Sequence, residues 1–341
     1  MRLAHGARLA LTMTTGLVLA TCSDAEGSGV ARTDCAADAP LLAFDHDTTD
    51  PDRGIGGGVP EVSVVSADGE IEMITGSWVA SQAAFAPDGD RLVVVKADGD
   101  YESAGPDATA LWLIGRDGSD PQELTGGDVL DEDPDWSADG ASIVFVRITF
   151  GAGTSTRSIA AVPVEGGSPV ELYSTIEGSL DEPVWSPDGR RIAFVRSVES
   201  TSTDHTATQV WTMAADGTGA RPLIELPYVG SLDWSPDGTT LLVGPQGSEG
   251  RTYVVDPDTG EADDLGTGVV LPAWAHDGES IYAFQDPDGL EGRDQRIVRA
   301  HIEDGDLVPD RTVLDSDELA GTVLEDVGFY PGFTLDVGPC G

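Results

Sequence analysis

Acidic side chains are the most abundant groups in this sequence that could do chemistry, and five aspartates recur in one short phrase. Each of them stands directly before a glycine: Asp88, Asp139, Asp188, Asp237 and Asp277. An aspartate at such a place in a tight turn accepts hydrogen bonds from nearby backbone amides, and the glycine accepts a positive φ. We therefore predict that these five aspartates stabilise turns.

A second group of carboxylates could bind a metal ion. Asp45, Asp47, Asp50 and Asp52 follow the first apolar segment closely, and calcium prefers oxygen ligands of this kind. Their spacing differs from that of an EF-hand loop, in which acceptors alternate and a glycine follows. The sequence favours a solvated acidic loop here and predicts no metal site, with calcium binding as the alternative.

Motifs typical of catalysis are missing from the sequence. It contains no Gly-x-Ser-x-Gly nucleophile motif, and its glycines lie in predicted hairpin turns instead of a nucleotide-binding loop. The five histidines show no spacing typical of metal ligands: His5, His46, His205, His276 and His301. We therefore predict no catalytic residue and no cofactor.

The charge of the chain is strongly negative. Asp and Glu number 61 against 18 Lys and Arg, which gives a formal net charge of −43. Such a surface repels phosphate backbones, so the charge argues against a nucleic-acid partner. A solvated surface suited to solubility or high salt explains the charge most simply, and binding of a cation or a basic partner is the alternative.

The N-terminus has the features of an export signal. Arg2 and Arg8 flank a short basic region, and a short apolar segment from Leu9 to Ala20 follows it. The segment ends in Leu19-Ala20-Thr21-Cys22, which is similar to a bacterial lipobox. We predict a lipoprotein signal peptide over residues 1–21, a lipid on Cys22 and a flexible acidic tether over residues 22–40. Ordinary cleavage without a lipid is the alternative. The mature chain is then anchored to a membrane on its periplasmic or cell-surface side.

Two further cysteines stand at the two ends of the remaining chain. Export places Cys35 and Cys340 in an oxidising compartment, and their spacing matches no zinc-ligand pattern. We therefore predict a disulfide bond between them.

One structural unit is repeated along most of the sequence. In its clearest copy Trp185-Ser186-Pro187-Asp188-Gly189 is followed by the aliphatic run Ile192-Ala193-Phe194-Val195. The aromatic residue that opens the phrase in the other copies is Phe85, Trp136, Trp234 or Trp274. Successive aromatic residues lie 51, 49, 49 and 40 positions apart, a period typical of repeated supersecondary units.

The repeated phrase predicts a β-hairpin, and a second hairpin follows in each unit, as at Asp117-Gly118 and Asp216-Gly217. Two hairpins make the four strands of a propeller blade. The sequence thus predicts an all-β fold, a six-bladed β-propeller of four-stranded antiparallel blades over residues 41–341, with five or seven blades as alternatives. The C-terminal segment from Leu324 to Gly332 is expected to supply the first strand of the N-terminal blade, which closes the ring.

The phrase Trp-Ser-Pro-Asp-Gly, followed by Arg190-Arg191-Ile192-Ala193-Phe194, resembles the WD40-like (PD40) repeat of TolB and related exported propellers. This resemblance covers most of residues 41–335. It implies protein partners in the cell envelope and no catalysis. The repeated tryptophans are expected to pack between blades, because each has a fixed place in its hairpin.

Two functions are compatible with these features. The first is a monomeric, lipid-anchored propeller that binds or scaffolds envelope proteins or glycans. Its contacts would come from four segments predicted on one face, residues 46–58, 97–109, 148–156 and 197–207. The alternative is an enzyme, a lyase or a glycoside- or peptide-active hydrolase, with its site at the mouth of the central channel. A group of acids with perturbed pKa values at that mouth would favour the enzyme.

Overall fold

Twenty-four β-strands make up the regular structure, and the described residues contain no helix. The structure is a computed structural model. It describes residues 41–48, 59–65, 71–75, 78–98, 108–151, 153–198, 207–245, 247, 250–285, 296–315 and 335–338. Among these residues no helix is long and apolar enough to cross a membrane.

The strands form six antiparallel sheets of four strands, each with one strand innermost and the others following outward in order. Blade 1 consists of β24 (Leu335–Gly338), β1 (Leu41–Thr48), β2 (Val59–Val65) and β3 (Ile71–Met73). Blade 2 consists of β4 (Ala80–Phe85), β5 (Arg91–Asp98), β6 (Ala108–Gly115) and β7 (Gln122–Glu123). Blade 3 consists of β8 (Val129–Trp136), β9 (Ser142–Phe150), β10 (Ser155–Pro163) and β11 (Val170–Thr175).

The remaining three sheets repeat this order. Blade 4 consists of β12 (Ser179–Trp185), β13 (Arg191–Val198), β14 (Ala207–Ala214) and β15 (Arg221–Pro227). Blade 5 consists of β16 (Val229–Trp234), β17 (Leu241–Pro245), β18 (Arg251–Val255) and β19 (Ala262–Thr267). Blade 6 consists of β20 (Val270–Trp274), β21 (Ser280–Gln285), β22 (Arg296–Glu303) and β23 (Asp306–Asp315).

The blades form a closed ring, because each innermost strand contacts the innermost strand of the next blade and β24 contacts β4. The predicted six-bladed β-propeller is thus confirmed, including a blade shared by the two ends of the chain. The closing strand is β24, which pairs with β1 from Leu41 opposite Gly338 to Phe44 opposite Leu335. It lies downstream of the segment from Leu324 to Gly332 that the sequence indicated, and that segment lies outside the described residues.

The second strand of each blade is buried on both faces, which explains its continuous apolar run. In β5, Leu92 and Val94 pack with blade 1, whereas Val93 and Val95 pack with blade 3. Alternate side chains of one strand therefore join two neighbouring blades, and burial of both sets stabilises the ring.

The repeated tryptophans lie between blades. Trp136 is buried in the cluster shared by blades 2 and 3, and Trp234 in the cluster shared by blades 4 and 5. Trp185 and Trp274 are half-buried against two further clusters. Packing in the apolar clusters between blades therefore holds these four indole rings, as the repeat predicts.

The strand registers define two faces of the ring. The connections between second and third strands lie on one face, which we call the loop face, together with the beginnings of the innermost strands. The repeated Asp-Gly turns lie at the other ends of the innermost strands, on what we call the turn face.

The connections on the loop face are shorter than the sequence indicated. Strand pairing continues to Phe150 opposite Ser155, so most of the predicted segment 148–156 is hairpin ladder. Pairing also continues to Asp98 opposite Ala108, and residues 99–107 between them lie outside the described residues. Asp45 and Asp47 likewise belong to β1, whereas Asp50 and Asp52 lie outside the described residues.

Candidate functional site

The five repeated aspartates all lie on the turn face. Each carboxylate accepts a hydrogen bond of 2.8 to 3.1 Å from the backbone amide two residues later. Three of them also accept a hydrogen bond from the serine hydroxyl that opens the turn, as Asp188 does from Ser186. Hydrogen bonding to these donors lowers the pKa of Asp188 below its usual value. Because these turns lie at the ends of the innermost strands that are opposite the loop face, the length of a strand separates the five aspartates from that face.

The other predicted site residues are not brought into a group. Cys22, Cys35 and Cys340 lie outside the described residues, as do His5 and His205. His301 is paired with the carboxylates of Glu303 and Asp310 on blade 6. Within the described residues, no group of three or more His, Cys, Asp or Glu side chains could hold a metal ion.

The innermost strands share an unusual backbone conformation close to the loop face. Three residues before the repeated aromatic, Gln82, Asp133, Glu182 and Leu271 have φ values of 50° to 53°. A register shift accompanies each of them, so every one of these strands contains a bulge. A bulge redirects one side chain, and here the repeat places the redirected residues in one ring around the axis.

Hydrogen bonds connect three residues of this ring. The side-chain amide of Gln82 donates to Asp133 Oδ1 over 2.5 Å, and the backbone amide of Asp133 donates to Gln82 Oε1 over 3.0 Å. The backbone amide of Glu182 donates to Asp133 Oδ2 over 3.2 Å. Asp133 thus links blades 2, 3 and 4.

Burial dominates the electrostatics of this side of the ring. Burial, together with the carboxylates of Asp181 and Glu132, raises the pKa of Asp133 to about 7 against two weaker interactions that lower the pKa. Burial also raises the pKa of Glu132. The nearby cations already have partners: Arg147 forms two hydrogen bonds of 2.7 Å with the fully buried Asp131, and Arg157 pairs with Asp181 at 3.3 Å.

Deeper in the ring, three carboxylates connect successive blades, and we call them the carboxylate latches. Asp336, Asp135 and Asp233 accept hydrogen bonds of 2.6 Å from the backbone amides of Phe85, Trp185 and Trp274, respectively. Each bond joins an odd-numbered blade to the following even-numbered blade. Burial is the main cause that raises the pKa of Asp135 to about 7 and that of Asp336 to about 6.

Two of the interfaces that follow even-numbered blades, those between blades 2 and 3 and between blades 4 and 5, use a different bond. The indole Nε1 of Trp136 donates to the carbonyl oxygen of Ala84 over 3.0 Å, and that of Trp234 donates to the carbonyl oxygen of Val184 over 3.3 Å. The indole Nε1 atoms of Trp185 and Trp274 are buried without a partner among the described residues. The two kinds of bond therefore alternate over the five interfaces from blade 1 to blade 6.

A cavity of about 70 Å³ lies between four innermost strands, β12, β16, β20 and β24. Its carboxyl groups belong to Glu182, Asp233 and Asp336. The rest of the lining is a serine and five apolar residues: Ser231, Leu232, Leu271, Pro272, Ala273 and Leu335. Among the residues that the structure describes, no lysine or arginine lines it.

Sequence reasoning did not identify the carboxylate latches or Asp133. One signal was present: Asp135 and Asp233 directly precede the repeated aromatic, where the other complete units have Ala84, Val184 or Ala273. A carboxylate at an otherwise apolar strand position indicates a specific buried partner.

Comparison with known proteins supports the fold. No protein-family model and no curated protein matches this sequence. Among solved structures, the putative TolB of Agrobacterium tumefaciens is 16% identical with a TM-score of 0.56, and the match covers 88% of this chain and 98% of that one. A chain of a nidogen/laminin complex is 11% identical with a TM-score of 0.61, with 88% and 98% covered.

An enzyme shares the architecture as well. An oligogalacturonate lyase in complex with manganese is 17% identical with a TM-score of 0.53, and the match covers 76% of this chain and 72% of that one. At these identities the likeness extends to the fold alone. The chain is a six-bladed β-propeller, and its structural neighbours include TolB-like propellers and propeller enzymes.

Proposed function

We propose that this chain is an exported, lipid-anchored propeller that binds a protein of the cell envelope through its loop face and does not catalyse a reaction. The observation that carries this proposal is the exposure of large apolar side chains on that face. Phe150, Ile176 and Tyr228 are 60%, 77% and 46% exposed, respectively.

The strand registers place these three residues at the same end of adjacent blades. Phe150 ends β9, Ile176 follows the end of β11, and Tyr228 lies between β15 and β16. Exposed apolar side chains on one face are typical of a surface that docks another protein. We call Phe150, Ile176 and Tyr228 the apolar rim.

Acidic residues accompany the apolar rim. Glu177 directly follows Ile176 and is exposed, and the half-buried Asp181 and Glu182 begin the innermost strand of the same blade junction. A complementary partner would present basic and aliphatic side chains together. The net charge of −43 would also increase the rate at which such a partner is attracted.

The signal peptide over residues 1–21, the lipid on Cys22 and the tether over residues 22–40 complete this proposal. A tether allows a membrane-bound propeller to reach a partner at a distance, and the likeness to TolB-like propellers fits such a role. A Cys22→Ser variant is expected to leave the membrane fraction and to appear among soluble exported proteins. Retention of that variant in the membrane would contradict the anchor.

Site-specific photo-crosslinking tests the docking surface. A photoreactive amino acid at position 150 or 176 should give discrete adducts with one envelope protein, which mass spectrometry then identifies. Position 170 is the matched control, because Val170 is in the same blade and also 60% exposed, but lies at the opposite end of β11. Equal adducts at all three positions, or none at 150 and 176, would overturn the proposal.

An acid–base enzyme is the second candidate, and the raised pKa values near the axis favour it. Carboxyl groups with a pKa of about 7, such as those of Asp133 and Asp135, can hold and release a proton near neutral pH. The candidate requires turnover of a glycan or peptide by the purified protein and loss of that turnover in Asp133→Asn. No turnover by the purified protein would leave the binding function as the better explanation, whereas turnover that persists in this variant would assign the chemistry to other residues than Asp133.

A further inference from the structure

The cavity in the ring of innermost strands combines features that point to a ligand of its own. Two of the carboxylate latches, Asp233 and Asp336, line it, and each uses Oδ2 for the bond to a backbone amide. A carboxylate offers about four acceptor positions, so Oδ1 of each remains able to accept a further donor. No side chain of the described residues donates a hydrogen bond to either Oδ1.

A second observation is independent of the acids. Ser231 also lines the cavity, and its side chain is 9% exposed. Its hydroxyl oxygen is buried and has no hydrogen-bond partner among the described residues. Buried hydroxyl groups are normally hydrogen-bonded, so this one indicates a missing partner at the cavity.

The lining decides which class of ligand fits. With three carboxyl groups and no cation among its described residues, the cavity attracts a positive charge. Among the described residues, the carboxylates of the cavity do not form a group that could hold a metal ion, so an organic cation is the class of ligand that we consider. Leu232, Leu271 and Leu335 add apolar surface on which an aliphatic stem can pack.

We propose that this cavity binds an alkylammonium group, with the ammonium between Asp233 and Asp336 and the aliphatic stem against the leucines. An ammonium has three donors, and Ser231 can supply a third acceptor beside the two carboxylates. The group can come from a free aliphatic amine or from a lysine side chain of another protein. This site is separate from the apolar rim, so either proposal can fail without the other.

An NMR titration of the full-length protein at pH 8 and constant ionic strength tests the proposal. n-Butylammonium chloride should shift the backbone amides of Trp274 and Phe85, which donate to Asp233 and Asp336. The amide of Trp185 serves as an internal control, because it donates to Asp135, which does not line the cavity. n-Butanol, a neutral molecule of similar shape, should give no such shifts.

Matched variants locate the ligand. Asp233→Asn should weaken n-butylammonium binding about tenfold or more, because it removes a charge-assisted hydrogen bond. Asp135→Asn changes an equally buried carboxylate latch outside the cavity, which interacts with Asp233 and Asp336 only through its charge, and should change the affinity much less than Asp233→Asn does. Ala273→Leu should block binding by filling the cavity, and it provides the test if Asp233→Asn does not fold.

The two sources of the group are distinguished by a second probe, Nα-acetyl-lysine-N-methylamide. Binding of both probes indicates that a lysine side chain can enter, whereas binding of n-butylammonium alone indicates a site for free amines. Equal binding of n-butanol, equal loss in Asp233→Asn and Asp135→Asn, or the absence of shifts with both amines would overturn the proposal. Displacement of the amine by calcium at low concentration would instead indicate a metal site and would also overturn it.

Discussion

At the scale of single residues, buried carboxylates set how the stability of this propeller depends on pH. The burial that raises the pKa of Asp135 to about 7 outweighs the effect of its hydrogen bond from the Trp185 amide, which lowers the pKa. The folded protein therefore holds a proton that the unfolded chain releases above pH about 4. The contribution of Asp135 to stability is full at low pH and is lost as the pH rises towards 7.

An Asp135→Asn variant tests this direction. The amide oxygen can still accept the bond from Trp185 and never ionises. The variant should therefore be more stable than the wild type at pH 8, on the order of 1–3 kcal/mol, and nearly equal to it at pH 4.5. Urea unfolding at the two pH values measures the difference.

Asp188→Asn is the matched control on the turn face. The hydroxyl of Ser186 is the main cause that lowers the pKa of Asp188, so its ionised form stabilises the fold above the unfolded pKa. This variant should lose stability at pH 8, the opposite direction. A loss of stability in Asp135→Asn at pH 8 would show that the buried carboxylate is ionised and that its charge strengthens the latch.

At the scale of elements, two classes of glycine turn connect the strands, and they differ in what surrounds them. Gly189 ends a turn between the first and second strands, with φ of 67° and no heavy atom within 4 Å of an added Cβ. Gly217, with φ of 82°, lies in a turn between the third and fourth strands, against the carbonyl oxygen of Leu172 in the preceding blade. Gly118 and Gly260 make the same approach to Ile74 and Leu223.

Substitutions at these two glycines should therefore differ in size. Gly189→Ala adds only the strain of a positive φ, about 1 kcal/mol. Gly217→Ala adds overlap with the backbone of the neighbouring blade, so a loss on the order of 3 kcal/mol is expected. Urea midpoints of the two variants at one pH compare them directly. Equal losses would show that the blades can separate locally without a large change in free energy.

At the scale of the whole molecule, the pairing of β24 with β1 holds the ring closed. Leu335 and Val337 are buried in one cluster with Phe44 of blade 1 and with Tyr282 and Phe284 of blade 6. The predicted Cys35–Cys340 bond, which lies outside the described residues, would secure this junction, because one cysteine precedes β1 and the other follows β24.

A Cys35→Ser/Cys340→Ser variant should unfold at a lower urea concentration than the oxidised wild type. The closed loop spans nearly the whole propeller, so the loss could reach roughly 4–5 kcal/mol in the chain-entropy description. Reduction of the wild type should reproduce the loss, and mass spectrometry of the unreduced protein should show the linked peptides. Free thiols at both positions in the exported protein would contradict the bond.

Much of this architecture follows from sequence alone. The phrase from Trp185 to Gly189 encodes a hairpin by local turn chemistry, and its recurrence predicts five blades. The sixth blade was predicted from strand-like segments at the two ends of the repeat region. The closing strand was predicted too early in the sequence, because Leu335–Gly338 lacks the Asp-Gly turn that marks the first strand in the other copies. The length of the predicted loop 148–156 was overestimated, because its polar residues Ser155 and Thr156 belong to a strand that pairs with Phe150 and Thr149.

The chemistry of the axis was decided only by the tertiary structure. Asp135, Asp233 and Asp336 are far apart in sequence, and their partners belong to the next blade. Closure of the ring brings the latches to the axis and leaves Ser231 beside a cavity. Local sequence determines a turn because its hydrogen bonds span a few residues, whereas burial and pKa values depend on every blade that surrounds a group.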